Sequence, residues 1–241
     1  MPELEKIKHI IIANWKLHGS IEFAKDYLNN LDFDGSDLDK NLIICAPLTL
    51  IPYLKSNKFY LGAQDCSKFT SGAYTGEISS NFLKEIGCSF CIVGHSERRN
   101  VFKEDYETIS DKIKNLIKSN IIPIFCIGEN LVQRKEILTK DILKDQILKS
   151  LPKNLDINKI IIAYEPIWSI GTGLTPNIDE ISEIHEFIKD KIFNNFNIKV
   201  LYGGSVKASN YKKILENKTV DGLLVGGASI NLDEFNQIIK F

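Results

Sequence analysis

A carboxylate follows a strongly apolar stretch of this sequence, at a place where it could act as a base. Glu165 comes just after Ile160–Ala163, whose continuous apolar character is typical of a parallel strand buried on both faces. Pro166 has no amide proton and stops strand pairing, and Gly171–Gly173 can adopt backbone angles closed to other residues. The stretch predicts a catalytic base followed directly by a mobile loop, or lid, that covers it. An isolated Glu-Pro pair, however, more often belongs to an ordinary surface loop.

Further reactive groups follow other apolar runs. Asn14 and Lys16 come after the first run, His95 follows the fourth, and the glycine pairs Gly203-Gly204 and Gly226-Gly227 follow the last two. Each signal is weak alone, because a lysine after a strand is commonly a solvated charge and a lone histidine is commonly structural. Their chemistry would be proton transfer beside a bound anion, if the fold brings them together.

Apolar runs alternate with amphipathic stretches along the whole chain. We predict helices that include Asp105–Asn120 and Lys135–Lys149, and strands over Lys8–Ala13, Leu42–Ala46, Phe59–Gln64, Phe90–Gly94, Ile121–Ile127, Ile160–Tyr164, Lys199–Tyr202 and Gly222–Val225. No linker divides these eight units, and no G-x-G-x-x-G turn follows the first strand, as an open dinucleotide-binding sheet would show. The sequence predicts one α/β domain over residues 1–241, a closed eight-stranded parallel (β/α)8 barrel.

A barrel would gather the reactive groups at one rim, because barrel active sites lie at the carboxyl ends of the strands. The glycine pairs would let the backbone approach an anion closely. A short helix near Gly227 would point unpaired amides and its positive dipole end at a phosphate. The arrangement predicts a phosphate site beside the base.

Composition excludes several kinds of partner. The 241 residues carry 30 basic and 31 acidic side chains, a formal net charge of −1, which argues against nucleic-acid or membrane-surface binding. No apolar run approaches the ~20 residues of a membrane helix, so we expect a cytoplasmic protein. The five cysteines, an odd number, indicate reduced thiols. Cys88 and Cys91 form the one close pair, and no histidine stands at ligand spacing, so we expect no metal site.

Six motifs together resemble the triosephosphate isomerase family. They are NWK at 14–16, GHSERR at 94–99, CIGE at 126–129, AYEPIWSIGTG at 163–173, YGGSV at 202–206 and VGGAS at 225–229. The resemblance covers nearly the whole chain in the right order. It implies a TIM barrel that interconverts dihydroxyacetone phosphate and D-glyceraldehyde 3-phosphate in glycolysis and gluconeogenesis. It implies no cofactor, since the carbonyl of the substrate accepts the electrons.

The resemblance also assigns roles. It implies that Glu165 moves the proton through an enediolate while a neutral His95 polarises the carbonyl, an arrangement for which this family is a known example. The groups that assist at the oxygen end would be Lys16, Asn14 and Glu97. The backbone amides that bind phosphate would be those of Gly171, Ser205, Gly226 and Gly227.

A long third loop, Phe69–Glu77, resembles the segment that this family inserts into a second subunit. The alternative is an unbound surface loop. The resemblance implies a homodimer in which Thr75 reaches the Asn14 and Lys16 region of the other subunit. Gln64 and Arg98 would support that interface.

Two other kinds of protein are compatible with single motifs. An aldolase that forms a Schiff base through Lys16 would share the phosphate site, and a barrel with a binding role alone would keep the glycines without the base.

The lid departs from the family pattern at both of its hinges. One hinge has Ile167 and the other has Leu174-Thr175-Pro176, and these residues would change the rate at which the lid opens but not the reaction. His18 stands where asparagine is frequent, and we expect it to be structural.

Overall fold

Eight parallel strands close into a barrel in chain order, with β8 paired to β1. The computed structural model describes residues 4–36, 40–172, 174–194 and 197–240, so Gly173 of the predicted lid lies outside the described residues. The strands are β1 (His9–Asn14), β2 (Lys40–Cys45), β3 (Tyr60–Ala63), β4 (Phe90–Val93), β5 (Ile122–Ile127), β6 (Ile161–Tyr164), β7 (Lys199–Tyr202) and β8 (Gly222–Val225). The predicted barrel is confirmed.

Helices surround the barrel in the described part of the chain. They are α1 (Ile21–Asn30), α2 (Ser80–Glu85), α3 (Ser96–Val101), α4 (Tyr106–Lys118), α5 (Leu131–Lys135), α6 (Thr139–Ser150), α7 (Ile178–Glu186), α8 (Tyr211–Leu215) and α9 (Leu232–Ile238). A π-helical turn, Phe187–Ile192, continues α7. Short 3-10 turns that matter for the site are Ile167–Ser169 after β6 and Gly227–Ser229 after β8.

Alternation along the strands separates two apolar cores. In β6, Ile161 and Ala163 point into the barrel, whereas Ile162 and Tyr164 pack against the surrounding helices. Because successive side chains of a strand point to opposite faces, the residue after Tyr164 returns to the inside. This period of two directs Glu165 into the mouth of the barrel.

Capping residues fix where several helices begin. Asn130 and Gln133 form a reciprocal capping box at the start of α5, and Asn177 and Glu180 form one at the start of α7. The predicted helix Lys135–Lys149 is wrong in extent. Two helices, α5 and α6, cover this stretch, because Ile137 adopts a left-handed φ of +61° between them.

A buried ion cluster lies at the amino ends of β7 and β8, opposite the rim with the reactive groups. Asp221 lies 2.7 Å from Lys189 Nζ and 3.7 Å from Lys199 Nζ. Its Oδ2 also accepts a hydrogen bond of 2.8 Å from the backbone of Val200. Such contacts at the amino-terminal face of a barrel serve stability.

Two expectations of the sequence analysis concern the molecule as a whole. No helix in the described ranges is long and apolar enough to cross a membrane. That residues 1–241 make one domain stays a prediction.

Candidate active site

A cavity of about 410 Å³ opens at the carboxyl ends of the strands. It brings together catalytic candidates and phosphate-binding candidates from distant parts of the sequence. Its lining comprises Asn14, Lys16, His95, Glu165, Ile170, Gly171, Gly203, Gly204, Ser205, Val206, Lys207, Leu224, Gly226, Gly227, Ala228 and Glu234. Glu97 adjoins this cavity through its contact with Lys16, as described below.

Glu165 is buried at the end of β6 and is 2% exposed. Its Oε1 lies 3.0 Å from His95 Nε2, and its Oε2 accepts a weak hydrogen bond of 3.3 Å from the backbone of Ser96. Burial raises the pKa of Glu165, but the charge and hydrogen bond of His95, with the Cys126 thiol and the Ser96 amide, outweigh burial and lower it. The carboxylate is therefore ionised and ready to accept a proton.

Two glycines make room for this carboxylate. A Cβ at Gly128 would lie 1.7 Å from the backbone oxygen of Glu165, and a Cβ at Gly203 would lie 2.9 Å from Glu165 Cγ. Both distances are too short for real atoms. The neighbouring strand ends therefore need glycine for Glu165 to sit this deep in the barrel.

His95 follows β4 and caps α3. Its Nδ1 accepts a hydrogen bond of 3.2 Å from the backbone N–H of Glu97, which requires a lone pair on Nδ1. Burial lowers the pKa of His95, but the carboxylates of Glu165 and Glu97 outweigh it and raise the pKa while Glu165 touches the ring. The helix amide acts in the opposite sense, because it donates to the neutral ring with its proton on Nε2.

Lys16 is held by three neighbours. Its backbone has a left-handed φ of +53°, and its N–H donates to Asn14 Oδ1 at 3.1 Å. Its carbonyl accepts from Gln64 Nε2 at 2.8 Å, and Gln64 also donates to the carbonyl of Cys45 at 3.0 Å. Lys16 Nζ donates to Glu97 Oε1 at 2.5 Å. The ammonium therefore reaches the cavity as a fixed positive charge.

The anion-binding side is formed by the turns after β7 and β8. The predicted short helix near Gly227 is present as the turn Gly227–Ser229, and Ser229 Oγ lies within hydrogen-bond distance of the Asn14 carbonyl, at 3.3 Å. A Cβ at Gly227 would meet no atom within 4 Å, so this backbone faces open space. The backbone N–H of Ser205 donates to Ser169 Oγ at 3.2 Å. The hydroxyl of Ser169, a lid residue, thus accepts from a backbone amide that we predicted to bind phosphate.

The lid is tied down at its first hinge and exposed at its tip. Trp168 Nε1 donates to Glu129 Oε1 at 2.8 Å, and Glu129 is fully buried, which raises its pKa. Ser169 Oγ donates to the carbonyl of Leu174 at 2.7 Å. A Cβ at Gly171 would meet no atom within 4 Å. The tip of the lid is therefore exposed at Gly171 and Thr172.

Some predicted residues lie outside this cavity. Thr75 is exposed on the third loop. Arg98 belongs to a separate ion cluster, where its Nε lies 2.9 Å from Asp65 Oδ2 and 2.5 Å from Glu104 Oε1. Gln64, predicted as an interface residue, also braces the backbone of Lys16 within its own subunit.

Sequence reasoning gave no role to several residues that support the site. Glu129 follows β5 directly, a position at which its burial beside the lid could have been suspected. Cys126 and Ser96 precede and follow strand ends, but their hydrogen bonds to Glu165 depend on how neighbouring strands approach one another. Ser169 carried no signal, because a serine in a loop is ordinary.

The fold and the site define a class of protein. A buried carboxylate and a histidine N–H face each other in a barrel mouth, with a lysine cation and glycine-rich turns beside them. These groups suit proton transfer next to a carbonyl on a small anionic substrate. Lys16 Nζ is engaged by the carboxylate of Glu97, so it is not free to attack a carbonyl as the lysine of a Schiff-base aldolase does.

Comparisons with known proteins identify the family. The sequence model of the triosephosphate isomerase family matches residues 9–241. The triosephosphate isomerase of Alkaliphilus oremlandii is 39% identical over 97% of this chain and 99% of its own length, and that of Mycoplasma mobile is 40% identical over the same shares. The crystal structure of triosephosphate isomerase from Bartonella henselae superposes with a TM-score of 0.87 at 36% identity, covering 96% of this chain and 98% of that one. This chain belongs to the triosephosphate isomerase family, which confirms the predicted resemblance.

Proposed function

We propose that this chain interconverts dihydroxyacetone phosphate and D-glyceraldehyde 3-phosphate through an enediolate, with Glu165 as the base. The contact that carries the proposal is the 3.0 Å approach of Glu165 Oε1 to His95 Nε2 inside a cavity that also holds Lys16. Moving a carbonyl by one carbon requires removal of a weakly acidic proton and stabilisation of the oxyanion that forms. A base and an electrophile must therefore face the same two carbons.

Glu165 and His95 divide this work. The carboxylate takes the proton from one carbon and returns it to the next, with its two oxygens in reach of both. When it turns from the imidazole to the substrate, the larger of the two carboxylate effects that raise the pKa of His95 is removed. The amide of Glu97 stays and favours the neutral ring, whose Nε2–H donates to the substrate oxygen, as is known for this family.

Lys16 supplies the positive charge at the oxygen end. Its ammonium stabilises the negative charge that develops on the enediolate and also attracts the phosphate. Glu97 and Asn14 hold it there through the hydrogen bonds described above. Glu97 and Asn14 thus lie next to the reacting groups and also position the lysine.

The phosphate would bind to backbone amides of Gly171, Ser205, Gly226 and Gly227. All four residues line the cavity, and a Cβ at Gly227 would meet no atom within 4 Å. Backbone N–H groups of such turns bind an anion without any charged side chain, and Ser169 would first release the amide of Ser205. The reaction then needs no metal or organic cofactor.

Replacement of Glu165 by glutamine tests the proposal. Glu165→Gln keeps the shape and removes the basicity, so kcat should fall ~10²-fold or more with a small change in KM. Glu136→Gln, an exposed glutamate outside the cavity, is the matched control. Near-normal turnover in Glu165→Gln would refute the assignment of the base.

We further propose a homodimer. A second cavity of about 510 Å³ lies on the outer side of Lys16 and Glu97, beside the apolar side chains of Val101 and Phe102. Leu17, on its rim, is 94% exposed. Exposed apolar surface around a concave site is typical of a protein interface. The third loop of another subunit, with Thr75 at its tip, would fill this cavity, and Gln64 and Arg98 line it.

The cytoplasm is the proposed location. All five cysteines are buried, unpaired thiols, which is compatible with a reducing compartment. The isomerase reaction belongs to glycolysis and gluconeogenesis.

A further inference from the structure

Glu234 has an unusual hydrogen bond for a residue in the first turn of a helix. In α5 and α7, the third residue of the helix returns its side chain to the capping asparagine. In α9, the capping residue Asn231 accepts from the backbone of Glu234 in the usual way, at 3.2 Å. The Glu234 carboxylate, however, accepts from the backbone N–H of Ala208, at 3.1 Å. It therefore connects the start of α9 with the turn after β7.

That turn carries a proposed phosphate amide and is braced from inside by Asn210. Asn210 Oδ1 accepts from the backbone of Lys207 at 2.8 Å, and its Nδ2 donates to the carbonyl of Ser205 at 3.0 Å. Glu234 binds the next residue, Ala208, from outside. The shape of the turn that contains Ser205 thus depends on the side chains of Asn210 and Glu234.

Glu234 also lines the cavity together with Ser205, Gly226 and Gly227. A negative charge at this place repels a phosphate dianion, and the partly buried setting weakens solvent screening. Lys207 lines the cavity as well and offsets part of this charge. The charge of Glu234 therefore weakens phosphate binding at the turns after β7 and β8, while its hydrogen bond to Ala208 helps to hold the turn after β7 in shape.

We propose that Glu234 is a positioning residue of the phosphate site that also tunes its affinity. Through Ala208 it fixes the turn that presents the Ser205 amide, and through its charge it lowers the affinity for a dianion. The inference rests on the proposed phosphate site. The two effects oppose each other, so the substrate and product are held in the correct place but are released more readily than by the amides alone.

The variant Glu234→Gln separates charge from position, because the amide oxygen of glutamine can still accept from Ala208. Inorganic phosphate serves as the probe, measured as a competitive inhibitor of the isomerase reaction. Its inhibition constant should fall roughly fivefold in Glu234→Gln. KM should fall in the same direction, by more than any change in kcat. High salt should reduce the difference between variant and wild type, since it screens charge.

The control is Asp233→Asn, which removes one charge from the same turn of α9 at an exposed position away from the cavity. A third variant, Glu234→Ala, removes charge and acceptor together, so its KM should exceed that of Glu234→Gln. If phosphate inhibits all proteins and Glu234→Gln matches Asp233→Asn, the role of Glu234 is refuted while the phosphate site stands. If phosphate does not compete in the wild-type protein, the phosphate site and this inference are both wrong.

Discussion

His185 packs behind the strand that carries the base and is fully buried. Its Nδ1 lies 3.2 Å from the carbonyl of Thr219, and its ring meets Tyr164 edge to face. Burial lowers the pKa of His185 to about 3. In the unfolded chain this histidine would bind a proton near its ordinary pKa of about 6.5. The folded protein therefore excludes a proton that the unfolded chain accepts.

The free energy of unfolding should consequently fall as pH drops below about 6.5, by up to roughly 4 kcal/mol near the folded pKa. The sign follows because the unfolded state binds more protons throughout this window. The side chain of His185→Asn can still donate to Thr219. In this variant, the free energy of unfolding measured with urea should depend less on pH than in the wild type. The exposed His18→Asn is the control. Equal pH slopes for His185→Asn and wild type would contradict the prediction.

Ile137 combines a left-handed backbone with an exposed side chain. Its φ is +61°, its side chain is 89% exposed, and a β-branched residue is strained in this region. Ile137→Gly should therefore raise the free energy of unfolding by about 1 kcal/mol. Leu148→Gly, at an exposed position inside α6, should lower it by about 1 kcal/mol. Thermal unfolding measures both, and a loss of stability in Ile137→Gly would refute the strain.

Residue types after apolar runs were enough to predict candidate reacting groups, and the structure brings them into one cavity. Glu165, His95 and Lys16 were predicted because chemistry in a barrel gathers at the carboxyl ends of strands. The sequence could not show that Ser169 holds the amide of Ser205, because that contact joins two loops through space. The φ of Ile137 was equally hidden, since isoleucine ordinarily indicates helix or strand.

Elements were predicted well where periodicity and caps agree. The bounds of β7 and β8 match the prediction, and the capping box of Asn177 and Glu180 lies directly before the helical pattern of α7. The short helix α3 was missed, because its cap is His95, a residue without a capping signature. The break between α5 and α6 was missed because no glycine or proline marks it.

The lid is the element whose loss should change the products. Elimination of phosphate from the enediolate needs the carbon–oxygen bond perpendicular to the enediolate plane, and a phosphate held in that plane cannot leave. Deletion of residues 170–173 should lower isomerisation by orders of magnitude while the barrel stays folded. The released intermediate should give methylglyoxal and inorganic phosphate, and both can be assayed.

The ratio of phosphate release to proton exchange distinguishes two roles of the lid. A deletion variant that isomerises poorly without more phosphate release per proton abstracted would show that the lid assembles the site without protecting the intermediate. Thr172→Ser, which changes one exposed side chain of the lid while keeping its hydroxyl, is the control.

At the scale of the whole molecule, the proposed dimer requires that the third loop fit into the second cavity of another subunit. Thr75→Arg combined with Gly76→Glu would place charges in the second cavity, and Gly76 has a φ of +92° that glutamate tolerates poorly. The double variant should sediment as a poorly active monomer. The exposed pair Lys153→Glu and Asn154→Arg is the control. An intact, active dimer with the altered loop would contradict the interface.

The closed barrel could be predicted from the sequence, because eight alternating units of this length have few ways to bury their strands. The interface could not be predicted from the pattern of one chain. Val101 and Phe102 look like ordinary helix residues until the structure shows that they are 68% and 64% exposed. The prediction of a dimer came from the family resemblance, because periodicity had no information about it.

The left-handed backbone of Lys16 has a consequence for attempts to improve this protein. A lysine at a φ of +53° costs the fold about 1 kcal/mol, which glycine at this position would recover. A library selected for heat resistance alone would therefore enrich glycine at position 16 and discard the cation that lines the cavity. Selection for activity that survives heating would retain the lysine. At this position, evolution under selection for catalysis and optimisation for stability lead to different sequences.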